Sequence, residues 1–146
     1  MSTPKNRLTV AGSERAPLEG AQEIGPANPN EVLDVTIRLR SRAGKKPIVD
    51  PKTFTMPVSA RTILTRKEFE QEHGADPAAI VRVESFARAH KLTVKEVSAG
   101  RRTVILTGTV AEMNEAFGVE LKEYQHPTGR YRGRTGQFRF QRNCTM

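Results

Sequence analysis

The sequence predicts an α+β domain of ferredoxin-like topology, in which an antiparallel sheet carries two main helices on one face. Leu33 to Arg40 alternates apolar and polar residues, the period of two that is typical of a half-buried strand. Asp76 to His90 instead spaces its apolar residues with the period of a helix. The patterned segments follow the order strand, helix, strand, strand, helix, strand, which is the split βαβ arrangement.

Capping signals set the predicted helix boundaries. Two capping boxes, Thr65–Glu68 and Thr109–Glu112, each place a threonine three residues before a glutamate. Gly74 and Gly118 supply the stops that commonly follow a last helical turn. Asp76–Pro77 reads as an N-cap followed by proline at the first helical position, so a second helical piece starts soon after the first one ends.

The remaining strands follow from alternation and turns. Residues 92–97 and 103–107 both alternate, and Ser98–Arg101 between them predicts a hairpin turn. Residues 119–124 alternate again. A return strand within 131–140 is then expected to add a C-terminal hairpin strand to the βαββαβ order.

Composition divides the chain into three parts. Seven of the nine prolines fall within the first 60 residues, and residues 1–30 show no sustained apolar period. We therefore predict an extended or disordered lead-in over 1–30, a folded domain over 31–140 and a tail or truncated linker over 141–146. One cysteine excludes a disulfide framework, and neither a membrane-spanning run nor the apolar part of a secretory signal peptide is visible.

The net charge of +8 raises nucleic-acid binding as an alternative function. The charge is uneven: residues 41–67 carry +6 and residues 122–146 carry +5, so the rest of the chain carries −3. RNA-recognition domains stack bases on aromatic residues of their sheet strands. The segments 33–40 and 103–107 contain no aromatic residue, which argues against nucleic acid as the partner and leaves it as the alternative.

Catalytic and metal-binding signatures are absent from the sequence. No serine lies in a nucleophile-elbow motif, and no phosphate-binding glycine loop occurs. His73, His90, His126 and Cys144 do not have the spacing of metal ligands. We expect neither a catalytic residue nor a metal or cofactor site in this chain.

Helices on one face leave the other face of the predicted sheet uncovered. That face is either simply solvated or a docking surface for a partner, since single exposed apolar residues are ordinary. Its candidate docking residues are Thr36, Arg38, Arg40, Thr103, Ile105 and Thr107.

Six stretches, in their order and spacing, resemble the N-terminal activation pro-domain of the sedolisin/kumamolisin family of serine-carboxyl peptidases. The similarity covers roughly residues 10–136, and several matched segments in one order are more specific than any lone motif. The stretches are Gly12–Arg15, Val35–Arg40, Leu64–Phe69, His73–Pro77, Thr107–Asn114 with Ala116–Val119, and Tyr131–Gly136.

The resemblance implies a subtilisin-propeptide-like fold and a role as intramolecular chaperone and autoinhibitor, released autocatalytically at acid pH. It also implies an extracellular protein and, as partner, a sedolisin-type catalytic domain in cis or in trans. In that family the catalytic domain carries a Ser-Glu-Asp triad, with the serine in a Gly-Thr-Ser motif, and binds calcium. This sequence has no Gly-Thr-Ser, so we expect that it is not itself a peptidase.

The resemblance further assigns expected roles to particular residues. A segment leading into the partner's active-site cleft is expected to act as an extended, substrate-like inhibitor. It comprises Tyr131, Arg132, Gly133, Arg134, Thr135 and Gly136. The basic segments are expected to pair with carboxylates of the partner, which lose their charge around pH ~4. His73, His90 and His126 are candidate pH sensors that gain charge below about pH 6.5.

Overall fold

The computed structural model describes residues 7–44 and 46–141, with the side chains of 140 and 141 excepted. The first six residues of the predicted lead-in, and Cys144 with the rest of the tail after residue 141, lie outside this description. The elements in chain order are β1 (Arg7–Thr9), β2 (Gln22–Pro26), β3 (Val32–Arg38), α1 (Arg66–His73), α2 (Pro77–Ala89), β4 (Thr93–Ser98), β5 (Thr103–Thr109), α3 (Val110–Phe117), β6 (Lys122–His126), β7 (Gly129–Gly133) and β8 (Arg139–Gln141).

The helices begin and end where the capping residues predict. Thr65 and Thr109 each accept a hydrogen bond from the backbone N–H of the glutamate three residues on, and that glutamate accepts one from the threonine N–H. Asp76 caps α2 through the N–H of Ala78 at 2.9 Å. Gly118 ends α3 with a φ of +60°, a left-handed conformation that suits glycine.

The main sheet consists of β3, β5 and β4, all antiparallel, with β5 in the centre. One face packs against α2 and α3. Val104 and Leu106 on β5 are fully buried in this core, because they alternate with residues that point to the other face. The core residues are Ile37, Leu39, Ala75, Val83, Phe86, Ala87, Leu92, Val104, Leu106, Met113, Ala116 and Phe117.

The predicted α+β class with antiparallel pairing is confirmed, but the strands divide between two three-stranded sheets. The second sheet has the order β2-β6-β7, so the strand after α3 does not join the main sheet. The strand after α3 is β6, and one of its two neighbours is β2, which belongs to the predicted lead-in. An ion pair between Lys122 and Glu23, 2.8 Å apart, links the two strands.

The C-terminal region differs from the single return strand expected over 131–140. β7 ends at Gly133, and β8 is a separate short strand that pairs antiparallel with β1. The last described residues of the chain therefore lie beside the first described ones. Among the residues described, no helix has the length and apolar character needed to span a membrane.

Candidate interaction surface

The face of the main sheet that points away from the helices carries the predicted docking residues, and we call it the open face. The register places Thr36 opposite Ile105 and Arg38 opposite Thr103, so their side chains stand side by side. On the edge strand β3, Thr36 and Arg38 are exposed, whereas Thr103, Ile105 and Thr107 on the central strand are half-buried between their neighbours. The structure thus places five of the six predicted residues on the paired strands of the open face, and the sixth, Arg40, just past the end of β3.

The open face extends beyond the predicted residues. Val32 continues the β3 row at one end and is 64 % exposed. Ser98 on β4 lies opposite Thr103 and continues the row at the other end. The sequence pattern missed Val32 because the alternation was read from Leu33, one residue too late, and it missed Ser98 because that residue was assigned to the turn.

The two ends of the open face differ in charge. At one end, Lys95 on β4 reaches across the sheet to form an ion pair with Asp34 on β3. The hydrogen bond from Lys95, with a second from Thr107, holds the pKa of the Asp34 carboxyl below its usual range. These charges satisfy one another, so this end is polar without a strong net charge.

The other end is basic. Arg38 ends β3, and Arg40 follows it as an exposed residue just past the strand. The backbone N–H of Leu39 donates to the carbonyl of Arg102 at 2.7 Å, which holds the turn between β4 and β5 against this end. Arg101 in that turn is exposed and pairs with Glu96 at 3.4 Å.

The predicted cleft-directed segment, 131–136, is built into the body of the domain. The Tyr131 ring stacks on Tyr124, with centroids 5.2 Å apart, and its hydroxyl accepts a hydrogen bond from the Leu18 N–H at 3.0 Å. Arg132 forms an ion pair with Glu31. The first half of the segment therefore links the lead-in, through Leu18, to β7 of the second sheet.

Arg134 holds the second half of the segment against the lead-in. Its guanidinium donates to the carbonyl of Ser13 at 2.8 Å and to that of Gly136 at 2.6 Å. It also lies over the ring of Phe138, 3.7 Å from the centroid. Arg15 and Gly136 exchange backbone hydrogen bonds of 3.1 and 3.0 Å. A substrate-like inhibitor needs a free backbone edge, and in this structure the edge of Gly136 is used by the lead-in.

The three histidines lie in separate places. His73 is buried at the end of α1, with its ring 5.3 Å from that of Phe69 and Nε2 3.9 Å from a carboxylate oxygen of Glu72. His126 ends β6 and is half-buried, and its Nδ1 accepts a hydrogen bond from the Thr128 N–H at 3.2 Å. The structure brings no two of them together.

His90 has the most unusual surroundings of the three. It caps the end of α2, and its ring lies 4.6 Å from that of Phe86. Its Nε2 is buried, and no hydrogen-bond partner for it occurs among the described residues. Burial lowers the pKa of His90 below its ordinary value, with the nearby Arg7 acting in the same direction and Glu115 opposing them.

An apolar cavity of about 450 Å³ lies between the main sheet, α3, the second sheet and the lead-in. No sequence pattern indicated this cavity, because its walls come from segments more than a hundred residues apart along the chain. Its lining includes Leu33, Val35, Phe117, Tyr124, Tyr131 and Phe138. In the described part of the chain, no group of three or more His, Cys, Asp or Glu residues could hold a metal ion.

Comparison with known proteins identifies the family. The family described as "Pro-kumamolisin, activation domain" matches residues 19–140. The chain belongs to this family. The match begins inside the predicted lead-in and includes β2, the strand that completes the second sheet.

Two curated relatives of the activation domain are similar over most of this chain. Kumamolisin of Bacillus sp. (strain MN-32) is 34 % identical over 137 residues, which are 92 % of this chain and 25 % of the relative. Tripeptidyl-peptidase sed5 of Aspergillus fumigatus is 26 % identical over 115 residues, 78 % of this chain and 20 % of the relative. The chain thus spans a quarter or less of each relative's length.

The family match confirms the resemblance drawn from the sequence. These 146 residues correspond to the activation domain of kumamolisin-type precursors rather than to the peptidase, so they are not themselves a peptidase. The roles of individual residues in docking, inhibition and pH sensing stay predictions.

Proposed function

We propose that this activation domain assists the folding of a sedolisin-type catalytic domain, inhibits it, and separates from it in acid. The observation that carries the proposal is the open face, a sheet surface whose backbone is held by a buried core while its outward side chains stay accessible. Membership of the activation-domain family supports the choice of a catalytic domain as the partner.

A folding assistant has to bind the native state of its partner more tightly than the unfolded state, because only differential binding shifts a folding equilibrium. A fixed sheet surface meets this requirement, since it complements a surface that exists only after the partner has folded. The half-buried Ile105 lies at the centre of the open face between Thr36 on β3 and Glu96 on β4, with polar and charged residues around it. A central apolar contact with a polar rim is the usual anatomy of a protein–protein interface.

The charge of the open face favours an acidic partner at neutral pH. Arg38 and Arg40 at its basic end offer guanidinium groups, which bind carboxylates with two parallel hydrogen bonds. Carboxylates of the partner are ionised at pH 7 and protonate around pH ~4, so these pairs are lost in acid.

Acid also lowers the folding stability of the activation domain itself. The pKa of His90 is lowered in the folded state, so protons bind more readily to the unfolded chain. The stability that neutral His90 contributes is complete above about pH 6.5 and is lost as the pH falls through the lower folded pKa.

Carboxylates act in the same direction at lower pH. Hydrogen bonds within the capping boxes lower the pKa values of Glu68 and Glu112, and Lys46 and Lys95 lower those of Glu72 and Asp34. Their contributions are present above about pH 4.5 and disappear as the pH falls through the folded values. His90 and these four carboxylates all make the domain less stable in acid, which supports release at low pH.

The test uses the catalytic domain of the kumamolisin relative, prepared without its own pro-domain and kept in calcium. The chain is added to the denatured catalytic domain at pH 7, and recovered activity on a fluorogenic peptide is measured. It is added separately to the folded domain to measure inhibition from pH 7 to pH 3.

We expect a several-fold higher recovery of active enzyme, tight inhibition at pH 7 and progressive loss of inhibition below about pH 5. Unchanged recovery together with no inhibition at pH 7 would contradict the proposal. Capture on heparin resin that falls steeply with salt, in a protein that does not inhibit, would favour the nucleic-acid alternative instead.

A further inference from the structure

We infer that the long connection between β3 and α1 is a second docking element, which inserts exposed apolar side chains into the same catalytic domain. The inference rests on the proposed function and adds a site that lies off the sheet. We call residues 48–64 the apolar loop. They include two short 3-10 turns, Pro51–Thr55 and Val58–Ala60.

The apolar loop concentrates exposed hydrophobic surface. Of the thirteen large hydrophobic residues exposed in the described structure, seven lie within these seventeen positions. Single exposed apolar residues are normal on a monomer, whereas many of them in one short segment suggest an interaction site. The seven are Ile48, Val49, Phe54, Met56, Val58, Ile63 and Leu64.

Local hydrogen bonds hold the loop in shape. The Asp50 carboxylate accepts from the Lys52 N–H at 2.9 Å and starts the first 3-10 turn. The Arg61 side chain donates to the carbonyl of Met56 at 3.1 Å and links the two turns. A surface fixed before binding loses less conformational entropy when it docks, so exposed side chains in this arrangement are suited to recognition.

The body of the domain anchors both ends of the loop. Just before it, the Arg42 N–H donates to the carbonyl of Gly74 at 2.9 Å, and Lys46 forms an ion pair with Glu72 on α1. Just after it, Thr65 begins α1 as the N-cap. Both ends of the apolar loop are thereby held against α1.

The apolar loop adjoins the open face. A groove of about 560 Å³ has Leu64 and Phe69 on one side and Ser98 and Arg101 on the other. Ser98 continues the row of the open face that contains Thr103 and Arg38. Leu64, the last residue of the apolar loop, therefore lies across this groove from the basic end of the open face, and a partner seated on that end would adjoin the end of the loop.

Charge identifies the kind of surface that the loop fits. Lys52 and Arg61 are exposed within the loop, and Asp50 is its one acidic residue. The matching surface is an apolar depression with carboxylates at its rim, as expected for a partner that also pairs with Arg38 and Arg40. A second copy of the chain would bring two basic loops together, which like-charge repulsion disfavours.

The experiment compares two pairs of exposed apolar residues in the full chain, binding the kumamolisin catalytic domain at pH 7. The loop variant is Phe54→Ser with Ile63→Ser, at positions 72 % and 86 % exposed. The control is Ile24→Ser with Val81→Ser, at positions 47 % and 56 % exposed and away from both proposed surfaces. Unfolding midpoints in urea are measured for each protein.

We expect the loop variant to raise the dissociation constant by about 30-fold or more, the scale of an interface hot spot, with an unfolding midpoint close to wild type. The control should stay within about twofold of wild type. Wild-type affinity in the loop variant, alongside loss of binding on Ile105→Glu, would overturn the inference and leave the proposed function standing. Concentration-dependent dimerisation that the loop variant abolishes would overturn the choice of occupant. Absence of binding by the wild-type chain would overturn both proposals.

Discussion

The two faces of the main sheet are built from the same strands but differ in burial. On β5, Val104 and Leu106 are fully buried against the helices, whereas Thr103, Ile105 and Thr107 between and beside them face outward. Because the side chains of a strand alternate, one face stabilises the fold and the other stays available for a partner. If the open face docks the partner as proposed, we expect substitutions one residue apart to change stability and docking separately.

The largest effect is expected on the buried face. Leu106→Ala removes a fully buried side chain from the centre of the core and leaves a cavity, which typically costs about 2–5 kcal/mol. Urea unfolding at pH 7 measures the loss in free energy of unfolding. A loss below about 1 kcal/mol would show that the core does not depend on this face, and would contradict the claim that the buried face stabilises the fold.

A substitution at Arg134 tests whether the segment 131–136 contributes to the stability of the domain or to binding of the catalytic domain. Arg134→Ala removes two hydrogen bonds to carbonyls and the contact with Phe138, and bonds to charged groups are worth about 1.5–3 kcal/mol. We expect the free energy of unfolding to fall by about 2 kcal/mol, with unchanged affinity for the catalytic domain under conditions where the variant is folded. The reverse result, lost inhibition at unchanged stability, would instead support the cleft-directed role predicted from the sequence.

A smaller, pH-dependent effect is expected from His90. His90→Phe keeps an aromatic ring beside Phe86 and removes the titrating group. The wild type should lose stability as the pH falls from about 6.5 to 5, and the variant should lose less over this interval. Above pH 7 the difference between the two proteins should be constant. If the urea midpoints of the wild type and the variant change by the same amount between pH 7.5 and pH 5, His90 is excluded as an acid sensor.

Local signals predicted the elements of the main sheet and the helices that cover it. The caps at Thr65, Asp76 and Thr109 form bonds within three residues, so their spacing in the sequence is sufficient. The alternation over 33–40 and 103–107 likewise separated the buried face from the open one.

The second sheet could not be predicted in this way. β2 is short, contains glycine and proline and carries little apolar pattern, and its partner β6 lies about a hundred residues further along the chain. The roles of Arg134 and Tyr131 depend on Ser13 and Leu18, again more than a hundred residues away. The seven exposed apolar residues of the apolar loop were also missed, because sequence shows hydrophobicity but not whether the fold covers it.

Affinity of an open-face variant for the catalytic domain tests the central claim most directly. Ile105→Glu places a carboxylate at the centre of the open face, one residue from the buried Leu106 and opposite Thr36. We predict a dissociation constant at pH 7 raised by about 30-fold or more, measured under conditions where urea unfolding shows that the variant is folded. Wild-type affinity in this folded variant would contradict the account, since the open face would then not carry the docking.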